Sequence, residues 1–281
     1  MKIALILDNN CLTKWQLDSI KKIENMVNIE LILNCQNTKI KKNIKKNFFY
    51  YVLNFLCIRN AMTKKKNISH YFKKNIIYNF DSKYKKNWQV LPIKIIDLLI
   101  SKDIDCVVKF GMNLLLVDNT KFLKYGVISF HHGDPTKYRG RPSGFYEILN
   151  KESNIGIVVQ KINNTLDSGD IIALGYSKIF KYSYKKTLIE LFNNSTDLLV
   201  FAIQNLKNNT VYELKKSKKL YFLPNNFLVI KFFYYIFYNF VKRIIYGIFY
   251  EKKWNINIQS FDINKINLSK DTLLEVKNYK K

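Results

Sequence analysis

The sequence predicts an α/β fold, a mostly parallel sheet with helices on both faces. Three observations predict it. Residues 3–7, 12–27 and 29–33 read as strand, helix and strand at the spacing of a βαβ unit. Short apolar, β-branched runs recur at 105–110, 127–131 and 155–162, as strands buried on both faces require. Amphipathic helical patterns cover 91–101 and 183–206.

Taken in order, 12–27 offers Trp15, Ile20, Ile23 and Met26 to a core, with Thr13 or Asn10 as the cap. No G-x-G-x-x-G follows the first strand, so a dinucleotide loop has no support. Residues 36–90 are rich in Lys, Asn, Tyr and Phe and contain no Pro or Gly. Within them 47–58 reads as a helix, the lysines at 64–66 as a solvated face, and His70 as a surface histidine. A further strand is expected at 171–179, and 211–220 reads as a basic linker or added strand.

Composition sets bounds. With 281 residues and 48% hydrophobic content, the chain can bury a large core. The formal charge of +26 points toward nucleic acid or an anionic membrane. Lys, Asn, Ile, Tyr and Phe are abundant everywhere, as an AT-rich genome produces, so part of that charge reflects no partner. No nucleic-acid partner is favoured. Cys11, Cys35, Cys57 and Cys106 show no zinc spacing and read as free thiols of a reducing cytosol. The first apolar run stops at Asp8, too short for a signal peptide, which suggests a cytoplasmic protein.

The stretch 126–170 organises the chain. It holds His131, His132 and Asp134, then the turn Lys137-Tyr138-Arg139-Gly140, and later Leu166-Asp167-Ser168-Gly169. Strand ends and the loops after them are where ligands bind in α/β sheets. His132 should face away from His131, because side chains alternate along a strand. A metal site at His131, His132 and Asp134 lacks a second ligand cluster, and Asp170 reads as a turn residue. In order and spacing, these motifs resemble the formyltransferases that use 10-formyltetrahydrofolate. The resemblance covers roughly residues 100–200.

The resemblance implies a Rossmann-like fold, a catalytic domain over 1–215 and a basic aromatic helical tail over 216–281. It implies transfer of a formyl group from 10-formyltetrahydrofolate to a small, anionic amine, with no metal. His131 would donate to the developing oxyanion, and Asp167 would take the proton of the attacking amine. The loop Phe110, Gly111, Met112 and Leu114 would contact the folate ring, and Arg139 and Arg141 an anionic acceptor. Ser129 stands where the family pattern has asparagine. It leaves four readings open: the hydroxyl assists, a water fills the gap, Asn113 reaches in, or the site has lost activity. The acceptor is expected to be an amino sugar, linked to a nucleotide and used in surface glycans. A methionyl-tRNA formyltransferase and a non-catalytic module at a membrane are the alternatives.

From 220 to 250 the chain is almost wholly aromatic and aliphatic. Lys231, Lys242 and Arg243 interrupt it, and no uncharged stretch reaches the ~20 residues of a span. At 100° per residue, Lys231, Tyr235, Tyr238, Asn239, Lys242 and Tyr246 share one side. Phe232, Phe233, Ile236, Phe237, Phe240, Ile244 and Ile248 fall mostly on the others. That pattern predicts a helix lying in the interface of the inner face of a membrane, with packing on the domain or on a second copy as the rival. The last thirty residues are polar and read as partly disordered.

Overall fold

The computed structural model describes residues 1–38, 43–68, 71–72, 75–210, 212–213, 219–249 and 275–276. His70, much of the 211–220 stretch and nearly all of the final thirty residues lie outside them. In chain order the first half gives β1 (Lys2–Asp8), β2 (Cys11–Thr13), α1 (Lys14–Ile23), β3 (Asn28–Cys35), α2 (Phe48–Leu53), β4 (Lys65–Asn67), β5 (Ile76–Phe80), β6 (Lys83–Lys85), β7 (Trp88–Val90) and α3 (Ile93–Ser101). The second half gives β8 (Cys106–Lys109), β9 (Gly126–His132), β10 (Arg139–Gly140), α4 (Phe145–Leu149), β11 (Asn154–Lys161), β12 (Asp170–Lys178), α5 (Tyr184–Lys207), β13 (Tyr212–Glu213), β14 (Leu220–Tyr221) and α6 (Asn226–Phe249).

The sheet has a parallel half, β5-β3-β1-β8-β9. β11, β12 and β13 extend it antiparallel beyond β9. The sheet is therefore more mixed than the apolar runs alone suggest. The reason is local: only two-residue β10 and five-residue α4 lie between β9 and β11, too short for a crossover to the far end, so the chain re-enters the sheet from the end where it left.

Both faces of β1 are buried, as its unbroken apolar run requires. Ile3, Leu5 and Leu7 pack in one core with α1 and α5, through Leu17, Ile20, Leu191 and Leu199 among others. Ala4 and Ile6 pack in the opposite core with Ile95, Ile96 and Leu99 of α3. Thr13 is the N-cap residue of α1, and its N–H donates to Gln16 Oε1 at 2.8 Å. Ser183 Oγ accepts the N–H of Lys186 at 3.2 Å at the start of α5. The helix expected over 47–58 is α2 followed by one π-helical turn, 54–58.

α6 does not stand apart from residues 1–215. Val229 and Phe232 lie in the main core. The Phe232 ring stacks on Phe145 with centroids 4.4 Å apart and meets Tyr184 edge-on at 5.0 Å. Asn47 Nδ2 donates to the carbonyl of Pro224, and Asn226 Oδ1 accepts the N–H of Phe49. β14 runs parallel beside β10, so the chain returns to the Lys137–Gly140 turn before α6 begins.

Candidate active site

A cleft opens at the C-terminal end of β8, where the parallel strands finish. Its floor comes from strand register. Lys109 is level with Ser129, and Ser129 with Gln160, so three polar side chains form one row across β8, β9 and β11. Trp88 and residues 113–115 make one wall. Ile162, Asn163, residues 165–167 and Gly169 make the other. With its open mouth the cleft encloses about 550 Å³.

His131 and Asp167 come together. Nδ1 of the histidine lies 3.4 Å from Oδ1 of the aspartate, and both residues are largely enclosed. Oδ2 of Asp167 accepts the N–H of Gly140 at 2.8 Å. A backbone turn with Asp167 at φ 45° brings the carboxylate to the cleft wall. His131 stands behind it. Its Nε2 lies 3.0 Å from the carbonyl of Tyr138, which can only accept, so Nε2 carries a hydrogen. Both ring nitrogens are thus engaged, and neither is left to donate into the cleft. His131 does not itself line the cleft; its ring lies between Asp167 and the Tyr138 carbonyl.

Ser129 lines the cleft, yet its hydroxyl donates to the carbonyl of Lys109 at 3.2 Å. It offers lone pairs, not a hydrogen. Of the four residues expected at the folate ring, Leu114 lines the cleft and the other three do not. Phe110 belongs to an aromatic cluster with Trp15 and Phe130. Met112 is fully buried, and its N–H donates to Asp8 Oδ1 at 2.9 Å. Gly111 is needed by β1: a Cβ there would fall 2.6 Å from the backbone of Leu7 and from Asp8 Oδ1. The glycine makes room for the neighbouring strand, not for a flat ligand.

The arginines divide. Arg139 Nη2 donates to the carbonyl of Leu166 at 2.5 Å and so clamps the acidic turn. Arg141 is exposed beside a shallow crevice shared with Tyr138, Tyr146 and Tyr221. Asp134 accepts from the N–H and the hydroxyl of Thr136 and closes its own turn. Asp170 begins β12, level with Lys161. No cluster of metal-ligating side chains occurs among the described residues.

His132 faces the opposite core, as alternation requires. It packs against Trp15, Phe130 and Phe192, and its Nε2 lies 3.0 Å from Ser195 Oγ. Burial holds its pKa down to about 3, with a smaller push from His131. The ring is neutral when folded, whereas the unfolded chain takes up a proton near pH 6.5. The stability this contributes is present above pH 6.5 and lost as pH falls toward 3. Urea unfolding across that window should show the loss, and His132→Leu should flatten it.

Sequence reasoning missed Lys109, Gln160 and Trp88. The available signal was a lysine ending an apolar strand, in Asp105-Cys106-Val107-Val108-Lys109-Phe110. Gln160 Oε1 accepts the N–H of Gly169 at 3.2 Å, which leaves its NH₂ as the group it can offer. Loss of water pulls the Lys109 ammonium down to about 8, against the carboxylates of Asp8 and Asp167.

No protein-family model matches the chain. It is 30% identical over 122 residues to a methionyl-tRNA formyltransferase of Fusobacterium nucleatum, covering 42% of this chain and 38% of that protein. The chain thus matches less than half the length of the curated relatives it resembles. Its fold is similar to that of glycinamide ribonucleotide transformylase 1 from Symbiobacterium toebii, with a TM-score of 0.53 and 11% identity over 76% of this chain and 91% of that one. Phosphoribosylglycinamide formyltransferase from Anaplasma phagocytophilum gives a TM-score of 0.52 and 13% identity, over 80% of this chain and 99% of that one. The structural likenesses speak for the fold alone, and the sequence match covers 42% of the chain. The chain is thus similar to formyltransferases in fold over about three quarters of its length, and in sequence over 122 residues.

Proposed function

We propose that this protein transfers a formyl group from 10-formyltetrahydrofolate to an amine. The observation that carries the reading is the His131–Asp167 pair, 3.4 Å apart, with the carboxylate on the wall of the cleft. The cleft suits the donor: Trp88, Leu114, Leu115 and Ile162 offer apolar flanks to a flat ring, and the polar row lies beneath. In the chemistry that the donor supplies, the amine lone pair bonds to the formyl carbon, the C–N10 bond breaks, the amine loses a proton and N10 gains one. Asp167 accepts the amine's proton. Gly140 and His131 hold its two oxygens in place for that transfer.

The acceptor is proposed to be an amino sugar on a nucleotide, used in surface-glycan assembly. Arg141, exposed beside the neighbouring crevice, suits an anionic handle of that kind. The sequence match to methionyl-tRNA formyltransferases favours a second acceptor, the amine of an aminoacyl-tRNA. Tetrahydrofolate release should be followed with a panel of amino-sugar nucleotides and with methionyl-tRNA. Release with the nucleotides alone is expected, and release with the tRNA alone would replace the sugar reading.

We further propose that α6 rests on an anionic membrane surface. No helix among the described residues is long and apolar enough to cross one. The outward stripe runs Phe227, Ile230, Tyr234, Phe237, Val241, Ile244, and Phe227 and Tyr234 are more than two-thirds exposed. Tyr235, which the wheel put on the polar side, packs inward instead. Lys231 and Lys242 flank the stripe, and residues 220–249 contain no carboxylate, so charge favours anionic lipid over a second basic copy. Full-length protein should float with vesicles containing phosphatidylserine, more weakly as salt rises. A Phe227→Ser, Ile230→Asn, Phe237→Ser variant should stay folded and sediment free. A protein that ignores vesicles but is dimeric, and becomes monomeric in the variant, would assign the stripe to a second copy.

A further inference from the structure

The formyl oxygen gains negative charge during transfer, and a preorganised donor must meet it. The family pattern has an asparagine at 129, and here that position is serine. The Ser129 hydroxyl hydrogen goes to the carbonyl of Lys109, and the two nitrogens of His131 go to Tyr138 and Asp167. The side chains expected to donate are therefore occupied. The same row supplies two replacements. Gln160 has its oxygen occupied by Gly169 and its NH₂ left over. Lys109 projects from the end of β8, level with Ser129, and lines the cleft.

We infer that Lys109 is a catalytic residue: its ammonium, with the amide of Gln160 on the far side of Ser129 in the same row, donates to the formyl oxygen as charge builds there. The inference rests on the formyl-transfer reading. Nζ donates to the carbonyl of Asn113 at 3.1 Å, which pins the chain end and leaves two N–H groups. No carboxylate forms a contact ion pair with Lys109 among the described residues. Asp8 and Asp167 act on it from a distance, so the charge is not consumed by a neighbour. Its side chain ends in the open cleft, where the bond to Asn113 is exposed to solvent. Its pKa near 8, lowered by loss of water, fits a donor that works charged at neutral pH and fails above it.

The test uses the full chain and a stable 10-formyl folate analogue, 10-formyl-5,8-dideazafolate, carrying ¹³C in the formyl group. Infrared difference spectra of the bound analogue should show the carbonyl band at lower wavenumber in wild type than in Lys109→Met. Turnover of 10-formyltetrahydrofolate, scored by hydrolysis to formate so that no acceptor need be known, should fall about a hundredfold in that variant. Wild-type turnover should decline above about pH 8, and Lys109→Arg should keep partial activity without that decline. The wild-type profile and the arginine variant decide the matter if Lys109→Met does not fold. An unshifted band with turnover retained in Lys109→Met would overturn the role of Lys109 and leave formyl transfer standing. A wild-type protein that neither binds the analogue nor releases tetrahydrofolate would overturn both.

Discussion

Asp167→Asn should lower formyl-transfer turnover roughly a hundredfold or more, while the thermal unfolding midpoint stays close to that of the parent. The substitution is chosen for what it preserves. An asparagine oxygen can still accept from the N–H of Gly140, which now meets Asp167 Oδ2. Its NH₂ can donate to Nδ1 of His131, because Nε2 already carries the hydrogen that faces Tyr138. The turn keeps the Gly140 bond, the ion pair with His131 becomes a neutral hydrogen bond to Nδ1, and the capacity to take a proton is lost. Steady-state kinetics with the accepted amine, set beside a melting curve, separates these effects. Turnover within a few-fold of the parent would remove Asp167 as the proton acceptor.

Phe232→Ala should destabilise the protein by about 3–5 kcal/mol, the range for losing a fully buried phenylalanine. Phe232 is 1% exposed, and its ring is enclosed by Phe145 and Tyr184. The cavity would open between α6 and the short helix that follows the Arg139–Gly140 turn. Urea unfolding measures the loss. A change below about 1 kcal/mol would mean that α6 packs only loosely on the body. Phe237, on the outward stripe and 64% exposed, is the internal control, and its alanine variant should leave stability nearly unchanged.

Much of this architecture was legible because it is local. A β-branched run such as Ile3–Leu7 can bury both its faces only inside a sheet, and the spacing to the next run leaves room for one helix. The His131–Asp167 pairing was legible through the motif order that carries the resemblance; strand register alone sets the hairpin after β11 beside the start of β9. What the order could not convey was which atoms were already taken. Ser129 looked like a donor until the carbonyl of Lys109 was seen to occupy it. Lys109 and Gln160 lie 51 positions apart and become neighbours of Ser129 only through register across three strands. Gly111 was read for its freedom toward a ligand, when the approach it permits is toward Leu7 and Asp8. The pairing of β10 with β14 has no local signature at all, because two residues on each side suffice for it.

That last pairing bears on how the molecule is born. Every residue of the cleft is synthesised by Gly169, yet the turn that aims Asp167 is not enclosed by then. Gly140, at φ 105°, lies so close beneath Tyr221 that a Cβ on it would fall 2.0 Å from the Tyr221 carbonyl oxygen. The N–H of Arg141 donates to that same oxygen at 3.1 Å. A nascent chain that has reached only α5 holds the His131–Asp167 pair beside a turn with one side open to water. Closure waits for Tyr221, 52 residues after Gly169, and for Phe232 to find Phe145. The turn that carries Asp167 is therefore completed late in translation, once β14 and α6 have emerged.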